Sequence, residues 1–182
     1  MRKTLATAAH IGAAASFPAS KLKGTTEGPL QRVAEARWPP TEQEKQLVGA
    51  DPTGHLENMP PAVLADRLAT RLGLGPLDTP AKHRVQKVVH YAFGAAFGAA
   101  YGALAEAFPA ATGGVGTVAG AALYAASHGT TLPLLRIQEP AWRLPRAQVV
   151  WEFASHLLFG IALEVGRRSA SRHLRLPVPL RR

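Results

Sequence analysis

The sequence predicts an all-α polytopic membrane protein, a single membrane domain over residues 1–182 built as a helical bundle of four transmembrane helices around a polar loop with short helices. Three observations carry that prediction. Only 18% of the 182 residues are charged, against about 25% in an average soluble domain. From Val88 to Leu135 the sole ionised side chain is Glu106. A bilayer core is crossed by about 20 apolar residues, and the chain offers such stretches repeatedly.

The first span is read at residues 4–20. Arg2–Lys3 followed by LATAAHIGAAASF has the basic start and short apolar core of a secretory signal, which if cleaved leaves three spans. His10 inside the apolar core, and Pro18 and Lys21 just beyond it, favour an uncleaved span. Residues 21–87 form the polar loop, with ten basic and eight acidic side chains in near balance. Proline and glycine punctuate it, so short helices are expected. The best is Pro61–Leu72, with proline in the first turn, Val63, Leu64, Leu68 and Leu72 on one face, and Gly73 as its stop.

The second span, 88–108, and the third, 115–135, flank a turn at Pro109–Gly114. The fourth, 147–166, lies between Pro145 and Arg167–Arg168, ahead of a basic tail at 167–182. Arg2, Lys3 and the six arginines from Arg167 to Arg182 fall on one side of such a bundle. Basic residues mark the cytoplasmic side, and long translocated loops count little. Both termini are therefore expected in the cytoplasm, with the long loop on the far face.

The net charge of +9 fits anionic lipid at the tail. Nucleic acid is not expected as a partner, because the tail has no aromatic residue to stack on bases. The absence of cysteine excludes disulfides, cysteine zinc sites, iron–sulfur clusters and thiol catalysis in this sequence. No nucleophile elbow or phosphate-binding glycine loop is present, so an enzyme is not expected.

Gly94, Gly98 and Gly102 recur every fourth residue in the second span as two overlapping G-x-x-x-G motifs, and Gly116 and Gly120 repeat the device in the third. In lipid, small residues let helix backbones approach. The glycines are therefore read as helix-packing positions in a bundle of the last three spans, with a homo-oligomer or a larger membrane complex as further use of spare faces. Leu157 and Leu163 are read as lipid-facing.

Polar side chains inside spans are costly and usually face protein or water. Counting inward from Lys87, Arg136 and Arg146 at 1.5 Å per residue puts His90 roughly 5 Å deep, Glu152 roughly 9 Å, His128 roughly 12 Å and His156 roughly 15 Å. Antiparallel spans place all four on one side as a candidate polar cluster. Glu152 and His156 share a helix face. Three readings stay open: a proton-responsive site, a haem or transition-metal site as the minority cofactor reading beside no cofactor at all, and interhelical hydrogen bonding. Glu164, with Arg167 and Arg168 one turn on, reads as a surface ion pair.

The chain resembles the YagU-like family of bacterial inner-membrane proteins, whose activity is not established. The resemblance rests on the first span running into Lys21, Glu27 and Pro39–Pro40, and on His90 through Tyr101–Gly102 to Pro109. It continues in Gly116, Gly120, His128 and Pro133, and in Glu152 with His156. Residues 41–80 match poorly, and the cysteines associated with such a loop are missing. The resemblance implies a multi-pass inner-membrane protein with a retained first span and a periplasmic loop. It supplies no catalytic residue.

Overall fold

The computed structural model describes residues 4–48 and 56–173. The basic start Arg2–Lys3 and the tail beyond His173 lie outside them. The described residues are all-helical, without a strand.

Helix α1 spans Leu5–Arg37, capped by the Thr4 hydroxyl, which accepts from the Thr7 N–H at 3.1 Å. Its buried face is almost wholly small, including Ala8, Gly12, Ala15, Ser16 and Ala19, and then turns polar at Glu27 and Gln31. The expected break at Lys21 does not occur. Pro18 and Pro29 sit inside the helix, and between them the Thr25 and Thr26 hydroxyls bond back to the carbonyls of Lys21, Leu22 and Lys23. The second half is fixed by packing, since Ala34, Ala147 and Trp151 form a small core with Leu30 and Trp38. Tertiary burial thus overrides the prolines that suggested a loop.

A short helix α2 (Glu42–Val48) and a 3-10 turn at Leu56–Asn58 lead to α3 (Pro60–Arg71). Gly73, at φ +77°, ends α3 as expected. Its leucine face is turned differently, however: Pro60, Ala62 and Ala69 are buried, while Leu68 and Leu72 are exposed.

Helix α4 (Thr79–Ala107) starts from Asp78, whose carboxylate accepts from the Ala81 N–H at 2.7 Å. A 3-10 segment, Pro109–Gly116, reverses the chain. The third apolar stretch is divided into α5 (Thr117–Ala126), a π-helical turn at Ser127–Thr131 and α6 (Leu132–Leu134). Helix α7 (Arg146–His173) completes the fold. Two helices, α4 and α7, are long and apolar enough to cross a membrane.

The glycines face backbone. A Cβ at Gly98 would overlap the Gly12 carbonyl, and one at Gly102 the Ala8 carbonyl, so α4 meets α1 backbone against backbone. A Cβ at Gly116 or Gly120 would overlap the carbonyl of Gly160 or His156 on α7, and one at Gly94 the Ser20 hydroxyl on α1. The pairing differs from a bundle of the last three spans. Helix α1 packs along both α4 and α7, and α5 packs along α7. The common core gathers Ala15, Ala19, Tyr101, Leu123, Phe159 and Leu163. Leu163 is therefore fully buried rather than lipid-facing, because α1 covers that side of α7.

Candidate functional site

Glu152 on α7 is the centre of a buried polar network. It is 2% exposed, and its carboxylate accepts from the Gln138 amide at 3.2 and 3.0 Å and from the Gln148 amide. The Trp151 indole N–H donates to the Gln148 carbonyl oxygen at 3.1 Å, fixing that amide's orientation. The Nδ1 of His128 lies 2.8 Å from the Gln138 carbonyl oxygen and 3.1 Å from the Glu152 carboxylate.

Both of those partners are acceptors, so His128 carries its proton on Nδ1. His156 does the same, since its Nδ1 lies 2.7 Å from the Glu152 backbone carbonyl oxygen, one helical turn back. The two imidazoles meet edge to face with ring centroids 4.9 Å apart. Tyr124 stacks on His128 at 5.4 Å and meets His156 at 5.5 Å. Its hydroxyl is buried and has no hydrogen-bond partner among the described residues.

Local backbone sets His128 in place. The π-helical turn is held by the Thr130 and Thr131 hydroxyls, which donate to the carbonyls of Ala125 and Ala126. Single π turns inside helices often mark functional positions. The segment after α6 then returns Gln138 to the His128–Glu152 contact, a partner that depth counting along the spans could not place. Its signal in the sequence was only that of an amide in a short basic loop.

His90 stands apart from this network. Its Nε2 lies 3.3 Å from the Ser20 carbonyl oxygen on α1. It nonetheless lines the same chamber as His128, Glu152 and His156, together with Lys23 and Glu27, which form a buried ion pair on α1. The chamber has a volume of about 390 Å³, within the usual range of small-molecule sites. The Lys23–Glu27 pair is neutral as a unit. Among the described residues in contact with the Glu152 carboxylate, the one able to carry the opposite charge is His128, and only when protonated.

Glu164 was expected at the surface and is instead fully buried. Arg167 binds it through two nitrogens at 2.7 and 2.9 Å, Arg168 through Nε, and the Tyr101 hydroxyl donates at 2.9 Å. Helix α1 and the tyrosine of α4 close over what would otherwise be an exposed helix face.

The cofactor readings are constrained by this geometry. Among the described residues no group of three or more His, Asp or Glu side chains is arranged to hold a metal ion. Two imidazoles already in ring contact leave no room between them for a macrocycle, so His128 and His156 do not fit as opposed axial ligands of a haem.

No curated protein and no solved structure matches the chain. Residues 6–165 match the model of a family described as "Protein of unknown function (DUF1440)". That stretch contains the whole cluster, the chamber and both glycine contacts, and the chain belongs to the DUF1440 family.

Proposed function

We propose that this is a YagU-like, multi-pass protein of the bacterial inner membrane whose His128–Glu152 pair, with His156 against it, takes up and releases a proton in response to pH on the periplasmic side. The four spans are α1, α4, α5 with α6, and α7, with both termini cytoplasmic. Large apolar side chains stand exposed on all four: Phe17, Phe93, Leu104, Val118, Phe153 and Val165. Soluble monomers seldom expose so much apolar surface, and lipid is the solvent that suits it.

The observation that carries the proton reading is the conditional charge at Glu152. A buried carboxylate without a counter-ion is costly. His128 supplies one only by binding a proton, and histidine is the side chain whose ordinary titration falls between about pH 5 and 8. The groups facing His128 are Glu152 and His156 from α7, Tyr124 from its own helix, and Lys23, Glu27 and His90 across the chamber. Protonating both His128 and His156 sets like charges side by side with one carboxylate between them.

The test is the thermal midpoint of the protein in lipid nanodiscs from pH 5 to 8. The wild type is expected to show a pH-dependent midpoint, and His128→Gln with His156→Gln a flat one. Equal profiles overturn the reading and leave the network as interhelical glue.

A further inference from the structure

We propose that the chamber beside the cluster binds a lipid-soluble phenol, its hydroxyl donating to an imidazole Nε2. The inference uses the same residues as the proton reading but does not depend on their titration. It rests on what the chamber wall offers and on where the chamber opens.

The ring nitrogens left free on the wall are acceptors. His128 and His156 both have Nδ1 committed as a donor, which leaves Nε2 of each as a bare lone pair with no partner among the described residues. His90 has its Nε2 on a backbone carbonyl oxygen, which leaves Nδ1 as an acceptor too. Several of the donors near the imidazoles are already engaged. The Lys23 ammonium is held by Glu27, and the hydroxyls of Ser127 and Thr131 donate to the backbone carbonyls of Leu123 and Ala126. A ligand that satisfies those imidazole lone pairs must bring an O–H or N–H of its own.

The rest of the wall is apolar and aromatic, with Phe93, Phe97, Trp151 and Phe159 around the imidazoles. Flat rings pack well there by offset or edge contacts, which selects an aromatic carrier for the hydroxyl over an aliphatic one. Access is from the bilayer. Helix α3 bridges the outer end of the chamber: its Arg67 guanidinium donates to the carbonyls of Leu135 and Arg136 at 2.9 and 2.7 Å, and its Asp66 pairs with Lys82 of α4 at 3.2 Å. Beneath that bridge α4 has no extended packing against α5 or α6, and on the membrane reading proposed above this gap is where the chamber meets lipid. A molecule entering there is already dissolved in the membrane.

The probe is a meta-bromo heptylphenol, whose bromine quenches tryptophan fluorescence on contact, compared with its methyl ether. The reporter is Trp151 in a Trp38→Phe, Trp142→Phe background, in nanodiscs at pH 8 where the proton reading predicts no response. The phenol is expected to quench saturably and about tenfold more tightly than the ether, the value of one hydrogen bond. His156→Phe is expected to narrow that preference. Equal quenching by phenol and ether, quenching that only follows the bulk lipid concentration, or tighter binding of a brominated fatty acid would each overturn the proposal. A saturable phenol preference alongside a flat thermal profile between pH 5 and 8 would keep the ligand site and remove the proton reading.

Discussion

Two buried carboxylates on one helix, Glu152 and Glu164, are held in opposite ways. Glu164 is locked by two arginines and a tyrosine hydroxyl; guanidinium groups stay charged at every physiological pH. Glu152 is held by two side-chain amides and an imidazole, and that imidazole is a counter-ion only when protonated. The comparison shows that burial of an acid does not say what the acid does. The permanence of its partners does. One end of α7 is a fixed electrostatic clasp, and the other is a site whose charge is set by its surroundings and which lies beside an apolar chamber.

The most disruptive way to break the comparison is to separate the helices on which both ends depend. Gly98→Leu and Gly120→Leu place a side chain where another backbone already lies, and they are expected to abolish a folded, monodisperse protein in detergent. Val165→Ala, at an exposed position on α7, is expected to leave it intact.

Next in size is Glu164→Ala, which strands Arg167 against the core. It is expected to cost about 3–5 kcal/mol in denaturant unfolding, as for other broken buried ion pairs, with the same loss at pH 5 and at pH 8. Glu152→Ala is expected to cost about 1–3 kcal/mol, because its amide donors lose a partner, and to remove the pH dependence of the midpoint. Equal costs and equal pH profiles for the two alanine variants would end the distinction.

The smallest effect lies at the α3 bridge. The Leu77 N–H donating to the Asp66 carboxylate at 2.7 Å, with Lys82 beside it, holds that carboxyl below its usual range. A depressed carboxyl stabilises the folded state above its unfolded value and loses that contribution as pH falls through its folded value. Protection of the α3 amides, taken relative to their intrinsic exchange rates, is therefore expected to fall below about pH 4, and Asp66→Asn to show the lower protection already at neutral pH.

What the sequence made legible follows from periodicity and depth. The reversal at Pro109–Gly114, the short helix after Met59 and the glycine spacing are local signals, and helix geometry alone set His128, Glu152 and His156 at similar depths. What it hid depends on which helices become neighbours. The Lys23–Gln31 face of α1 looked like loop because its prolines are local while the α7 surface that buries it is distant. The leucines of α3 formed the expected face, yet the small residues Ala62 and Ala69 pack inward and leave the leucines outward. Gln138 joins the cluster through a chain reversal that no spacing rule announces. Glu164 was misread because an i, i+3 and i, i+4 ion pair looks the same on an exposed helix as beneath a neighbouring one.

The conditional charge at Glu152 is most directly tested by the imidazole nitrogen resonances of His128 in nitrogen-15-labelled protein in nanodiscs. The account predicts a neutral ring protonated on Nδ1 at pH 8, a doubly protonated ring at pH 5, and a displaced transition in Glu152→Gln. A His128 ring in the same state at both pH values, or a transition that Glu152→Gln leaves in place, would contradict it.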